Sequence, residues 1–154
     1  MVHRDLKPSN IFFSTEGVIK IGDFGLVTDD IVGNVDSGDG DHGMRLSGGH
    51  QHTDQVGTLT YMSPEQLHRK PYNHTVDIYS MGLILLELLV PFNTQSERLI
   101  RFNEAKKGRL PQALATEEKL LLSKMLNGDP DKRPETRDIL HSETGWMQIG
   151  RAHV

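Results

Sequence analysis

The sequence predicts a mainly α fold carrying one small β-hairpin near its start, and three observations carry that expectation. Residues 11–21 hold two short runs of β-branched and aromatic residues around a Ser14-Thr15-Glu16-Gly17 turn. From Thr75 onward, apolar residues recur at helical spacing between capping sequences and Gly or Pro stops. With 154 residues, 36% of them hydrophobic, and no cysteine, the chain can build one core and has no disulfide framework to replace it.

The elements follow in order. Ile11-Phe12-Phe13 reads as the first strand and Val18-Ile19-Lys20-Ile21 as its return, a hairpin that brings Asn10 and Asp23 side by side. Asp29 to His52 is dominated by Asp, Gly and His, buries too little apolar surface to offset chain entropy, and is expected to be a mobile loop insertion. Its Asp36, Asp39 and Asp41 lack the spacing of a calcium loop, and His42, His50 and His52 lack a second ligand pair at zinc spacing. Order is expected to return at Gln55 to Glu65. Thr75 to Val90 is apolar nearly all round, the pattern of a helix buried in mid-domain. Thr94-Gln95-Ser96-Glu97 is a capping box opening a helix to about Lys107, with Gly108 as its stop. Thr116-Glu117-Glu118 opens another helix, whose Leu120, Leu121, Leu122, Met125 and Leu126 form a core stripe, and Gly128-Asp129-Pro130 ends it. Pro134, at a first-turn position, is expected to start a final short helix through Leu140.

Several function classes drop out. A net charge of −4 with no basic patch argues against nucleic acid as a partner. No signal peptide is visible at Met1, and the run Met81 to Leu86, interrupted by Glu87 and closed by Pro91, is far short of the roughly 20 residues that span a bilayer. No membrane segment is expected within this chain.

The remaining signal is chemical. Enzymatic phosphoryl transfer needs a carboxylate at the attacking hydroxyl, a cation on the moving phosphate, and hard oxygen ligands for magnesium. Asp5, Lys7, Asn10 and Asp23 supply that set. Asp5 and Lys7 lie two apart in a short loop, and the hairpin returns Asp23 to Asn10.

His3-Arg4-Asp5-Leu6-Lys7-Pro8-Ser9-Asn10, followed by Asp23-Phe24-Gly25, resembles the catalytic loop and metal-binding motif of protein kinases. Ser63-Pro64-Glu65 is similar to the family's Ala-Pro-Glu with Ser for Ala, and Asp77, Gly82 and Arg133 fall on further family positions. Residues 2 to about 142 thus resemble the C-terminal lobe of a eukaryotic protein kinase, a partial kinase fold with the N-terminal lobe missing. The resemblance implies ATP and Mg2+ as cofactors, with Lys7, Asn10 and Asp23 binding them and Asn10 and Asp23 holding the metal. It implies that Asp5 orients the substrate hydroxyl and accepts its proton, that Lys7 stabilises the moving phosphate, and that Thr58 hydrogen-bonds both. Arg4 is implied to receive a phosphate from Thr53, and Glu65, Asp77 and Arg133 are implied to be structural. Lys7 is the form found in serine/threonine kinases.

Gly22 to Thr28, His52-Thr53, Tyr61 to Gln66 and Pro91-Phe92-Asn93-Thr94 with Glu97-Arg98 narrow the resemblance. They are similar to the kinases of the alpha subunit of translation initiation factor 2, most of all the PERK-like branch of the unfolded protein response. That implies a stress-activated enzyme that lowers translation, with the initiation factor as protein substrate. It further implies a kinase homodimer and a place on the cytoplasmic face, with the parent anchored in the endoplasmic reticulum membrane. The alternatives are a serine/threonine kinase of another subfamily, or a non-catalytic module that docks a partner on the helix from Gln95 to Lys107. No Gly-rich loop, strand lysine or partner glutamate precedes the catalytic motif, so the chain is expected to be inactive alone. Residues 1–145 are expected to be a partial kinase domain with an activation-segment insert at 29–52. Residues 146–154 are read as a tail, of which 149–154 are a translated sequencing adapter.

Overall fold

The computed structural model describes residues 2–22 and 59–141. Asp23, Thr53, Thr58, the insert at 29–52 and the tail at 146–154, including 149–154, lie outside the described residues. In chain order there follow a 3-10 turn at Pro8–Asn10, β1 (Ile11–Phe13), β2 (Ile19–Ile21), α1 (Pro64–Leu67), α2 (Thr75–Leu89), α3 (Gln95–Lys106), α4 (Thr116–Met125), a 3-10 turn at Pro130–Lys132 and α5 (Thr136–His141). The mainly α architecture with one hairpin is as expected.

β1 and β2 pair antiparallel with Ile11 opposite Ile21, Phe12 opposite Lys20 and Phe13 opposite Ile19. The return strand starts one residue later than expected. Val18 is held inside the turn, its N–H donating to Ser14 Oγ at 3.1 Å and its carbonyl accepting from Ser14 N at 2.8 Å. Gly17, at φ +77°, takes the left-handed position that turn demands.

α2 is the centre of the core. Val76, Tyr79, Leu83 and Leu86 are almost wholly enclosed, and the last three share one core cluster with Phe102 of α3 and Leu122 and Met125 of α4. Gly82 permits the approach of α4: a Cβ there would lie 2.9 Å from Leu126 Cδ2 and 3.0 Å from Met125 Cβ. A Cβ contact, unlike a side-chain tip, cannot swing aside, so Gly82→Val should lower denaturant stability by about 2 kcal/mol or more. Gly82→Ala should be milder, because it regains about 1 kcal/mol of helix propensity. Equal urea midpoints for the wild type and the valine variant would show the packing to be looser than this.

The helices differ from expectation in three places. Thr94 Oγ1 caps α3 by accepting from Glu97 N at 3.1 Å, but Glu97 Oε2 accepts from Asn93 N, one residue before the cap. In α4, Leu122, Met125 and the following Leu126 are buried and Leu121 packs against them, whereas Leu120 is 51% exposed. Two residues along a helix turn about 200°, which carries Leu120 off the face of Leu122 and out of the core stripe. Pro134 does not sit in the first turn of α5. Arg133 is extended at φ −78°, ψ 143°, as the residue before a proline prefers, and the helix begins only at Thr136. Among the described residues, no helix is long and apolar enough to cross a membrane.

Candidate active site

The loop from His3 to Asn10 is pegged from two helices. Asp77, in the first turn of α2, accepts from His3 N at 2.7 Å with one carboxylate oxygen and from Arg4 N at 2.9 Å with the other. Gln66 of α1 donates its amide to Arg4 O at 3.0 Å. Arg4 takes φ +71°, a left-handed conformation that costs a non-glycine residue roughly 1–2 kcal/mol. The two bonds to the Asp77 carboxylate, about 1.5–3 kcal/mol each for a charged acceptor, offset it. Asp77 is therefore a structural clamp on the loop.

His3 joins the loop to the hairpin. Its Nδ1 accepts from Asp5 N at 3.3 Å and its Nε2 lies 2.8 Å from Gly22 O, so Nε2 carries the proton and donates. The ring is nearly enclosed, which makes the bridge a fixed one. Gly22 N in turn donates to Asn10 O at 2.9 Å, extending the ladder one residue past β2. Sequence reasoning gave His3 no separate role, since Gly22 reaches it only through the hairpin's return.

Three of the expected site residues come together. Lys7 Nζ lies 2.8 Å from Asp5 Oδ2. Asn10 donates Nδ2 to Asp5 O at 2.8 Å and approaches Asp5 Oδ2 at 3.4 Å. A backbone carbonyl only accepts, so the Asn10 nitrogen must face it, which leaves the amide oxygen turned to the other side. That oxygen suits a hard cation such as magnesium. Among the described residues, no cluster of three His, Cys, Asp or Glu side chains forms a metal site of its own. The Arg4 guanidinium lies 5.5 Å above the Tyr72 ring.

Glu65 and Arg133 form a buried, two-pronged ion pair, Nη1 to Oε1 at 2.5 Å and Nη2 to Oε2 at 2.8 Å. Arg133 also donates to Thr75 O at 3.1 Å and Asn127 O at 2.8 Å, and lies 4.8 Å over Tyr79. Burial pushes the Glu65 carboxyl up, and the hydrogen bonds and charge of Arg133 outweigh it and hold the carboxyl below its ordinary range. Ser63, where the kinase motif has Ala, caps α1: its hydroxyl accepts from Gln66 N at 3.4 Å while Gln66 Oε1 accepts from Ser63 N at 3.1 Å. The departure from the motif thus adds a cap.

Known proteins share much of this sequence. The chain is 44% identical over 147 residues to eukaryotic translation initiation factor 2-alpha kinase 3 of Bos taurus, covering 92% of this chain and 13% of that protein. It is 43% identical over 150 residues to the interferon-induced, double-stranded RNA-activated protein kinase of Mus musculus, covering 97% of this chain and 26% of the relative. To the eukaryotic translation initiation factor 2-alpha kinase pek-1 of Caenorhabditis elegans it is 37% identical over 147 residues, 90% of this chain and 13% of that one. The chain thus spans a minor part of the length of each relative. The family model described as the protein kinase domain matches residues 1–145, and the loop that Asp77 clamps around Asp5 falls inside that match; this chain belongs to the protein kinase domain family.

Proposed function

We propose that this chain carries the catalytic loop and helical lobe of an ATP-dependent serine/threonine protein kinase that phosphorylates the alpha subunit of translation initiation factor 2. The observation that carries the reading is the Asp5 carboxylate held between Lys7 and Asn10 on a clamped loop. In this reading Asp5 orients the substrate hydroxyl and accepts its proton, while Lys7 steadies the moving phosphate. Asn10 and Asp23 hold magnesium, which neutralises charge on the phosphates of ATP. Thr58 hydrogen-bonds Asp5 and Lys7, and Arg4 receives the phosphate of a modified Thr53, ordering the 29–52 insert. The names of the relatives, as kinases of translation initiation factor 2-alpha, support the choice of substrate. Action as a homodimer, on the cytoplasmic face of the endoplasmic reticulum in a stress response, belongs to the same proposal.

A second reading, a docking module without chemistry, is favoured by a cavity of about 410 Å³ at the start of α3, lined by Glu87, Phe92, Asn93, Thr94, Gln95 and Arg98. The deciding experiment incubates the complete protein that carries this sequence with ATP, Mg2+ and the purified alpha subunit. Phosphoserine on that subunit is expected. Tight binding of the subunit with no phosphate transferred would establish the docking reading instead.

A further inference from the structure

The turn after α4 holds the chain's one Asn-Gly pair, Asn127-Gly128. Asn127 N donates to Lys124 O at 3.2 Å, and the residue is half-buried while Gly128 is exposed. The Asn127 side chain forms an Asx-turn, its Oδ1 accepting from Asp129 N at 2.9 Å. The ring closed by that bond contains both Asn127 Cγ and Gly128 N, so the two cannot drift far apart. The main-chain carbonyl of Asn127 is used as well, accepting from Arg133 Nε at 2.8 Å.

These placements favour one reaction. Gly128 N becomes a nucleophile when deprotonated, and among the described residues its N–H donates to no acceptor that would hold the proton. Glycine has no Cβ to shield that nitrogen, and the space where one would stand is open, with nothing within 4 Å. Attack on Asn127 Cγ pushes negative charge onto Oδ1, where Asp129 N–H already stands as a donor. Reactants held together and a donor in place both lower the barrier to such an intramolecular step.

We propose that Asn127-Gly128 is a self-modifying site, at which the folded protein converts its own asparagine to isoaspartate and so loosens the buried Glu65–Arg133 pair. Gly128 N loses its proton to hydroxide and bonds to Asn127 Cγ. The Cγ–Nδ2 bond then breaks, and Nδ2 leaves as ammonia with a proton from water, which restores the hydroxide. Water next opens the succinimide: at Cγ it leaves aspartate, and at the main-chain carbonyl carbon it leaves isoaspartate, with the chain running through Cβ and Cγ. In isoaspartate the oxygen that accepted from Arg133 Nε belongs to a free carboxylate, and the link to Gly128 is one atom longer. Arg133 feels that change directly, and the same guanidinium holds both Glu65 oxygens and Thr75 O. This chemistry is independent of phosphate transfer.

The test incubates the complete protein that carries this sequence in mildly alkaline buffer and maps its peptides by mass, with isoaspartate resolved from aspartate by electron-transfer fragmentation. Asn127 should convert about tenfold faster than Asn10, Asn73, Asn93 or Asn103, none of which precedes glycine. Gly128→Val, whose side chain has room, should slow conversion about tenfold by crowding the nitrogen. A synthetic peptide of residues 122–133 lacks the fixed turn and should convert no faster than the folded protein. The isoaspartate fraction should unfold about 2–4 °C below the unmodified protein, whereas Asn127→Asp, which keeps the main chain, should match it. Conversion in the peptide but not in the folded protein, equal rates with and without Gly128→Val, or an isoaspartate fraction that unfolds with the unmodified protein overturns the proposal.

Discussion

Asp5→Asn should lower kcat for protein phosphorylation by about 10²–10⁴, the range for losing a positioned general base. The substitution keeps shape and removes only the ability to take a proton and to pair with Lys7. Asn10 can still donate to the residue 5 carbonyl, since that bond goes to the backbone. Asp77 can still clamp the loop, since it holds the amides of His3 and Arg4. The Asp5–Lys7 pair is partly open to solvent, at 13% and 21% side-chain exposure, and such pairs contribute about 0–1 kcal/mol to stability. The expected signature is a collapsed kcat with a nearly unchanged KM for ATP and an unchanged melting temperature. A loss smaller than tenfold in steady-state assays of the complete protein would remove Asp5 from the reaction.

Arg133→Ala should destabilise the fold by about 3–5 kcal/mol, because it leaves the Glu65 carboxylate buried without its partner. The loss is compounded by two carbonyls, Thr75 O and Asn127 O, that lose their donor. For that reason Glu65→Leu combined with Arg133→Met should recover only part of the deficit, although apolar replacement of a buried pair is often neutral. Acid should reveal the same pair. Glu65 sits below its ordinary value of 4.5 in the folded state, so the stability it contributes is fully present above that value and is lost as pH falls through the folded one. Thermal unfolding followed downward from neutral pH should show an acid limb that Glu65→Gln diminishes. A limb of equal size in both proteins would assign it to other carboxylates.

Local patterns in the sequence determined a good deal of this protein: the hairpin from its β-branched runs and turn, the buried central helix from its apolar surround, the caps at Thr94 and the stop at Gly108. These are decided within a few residues, by propensity, capping and periodicity, and so can be read from neighbours in the chain. The motif residues Asp5, Lys7 and Asn10 were legible for the same reason, lying inside one short loop. Tertiary structure alone decided how that loop is held. Asp77 reaches back 74 residues to His3, Arg133 reaches 68 to Glu65, Lys106 reaches 46 to Thr60 and Arg98 reaches 37 to Tyr61. It also decided that His3 bridges to Gly22. A side chain's type limits which bonds it can make, but which partner it meets across so much chain depends on how the helices pack around α2, and local preference carries no record of that packing.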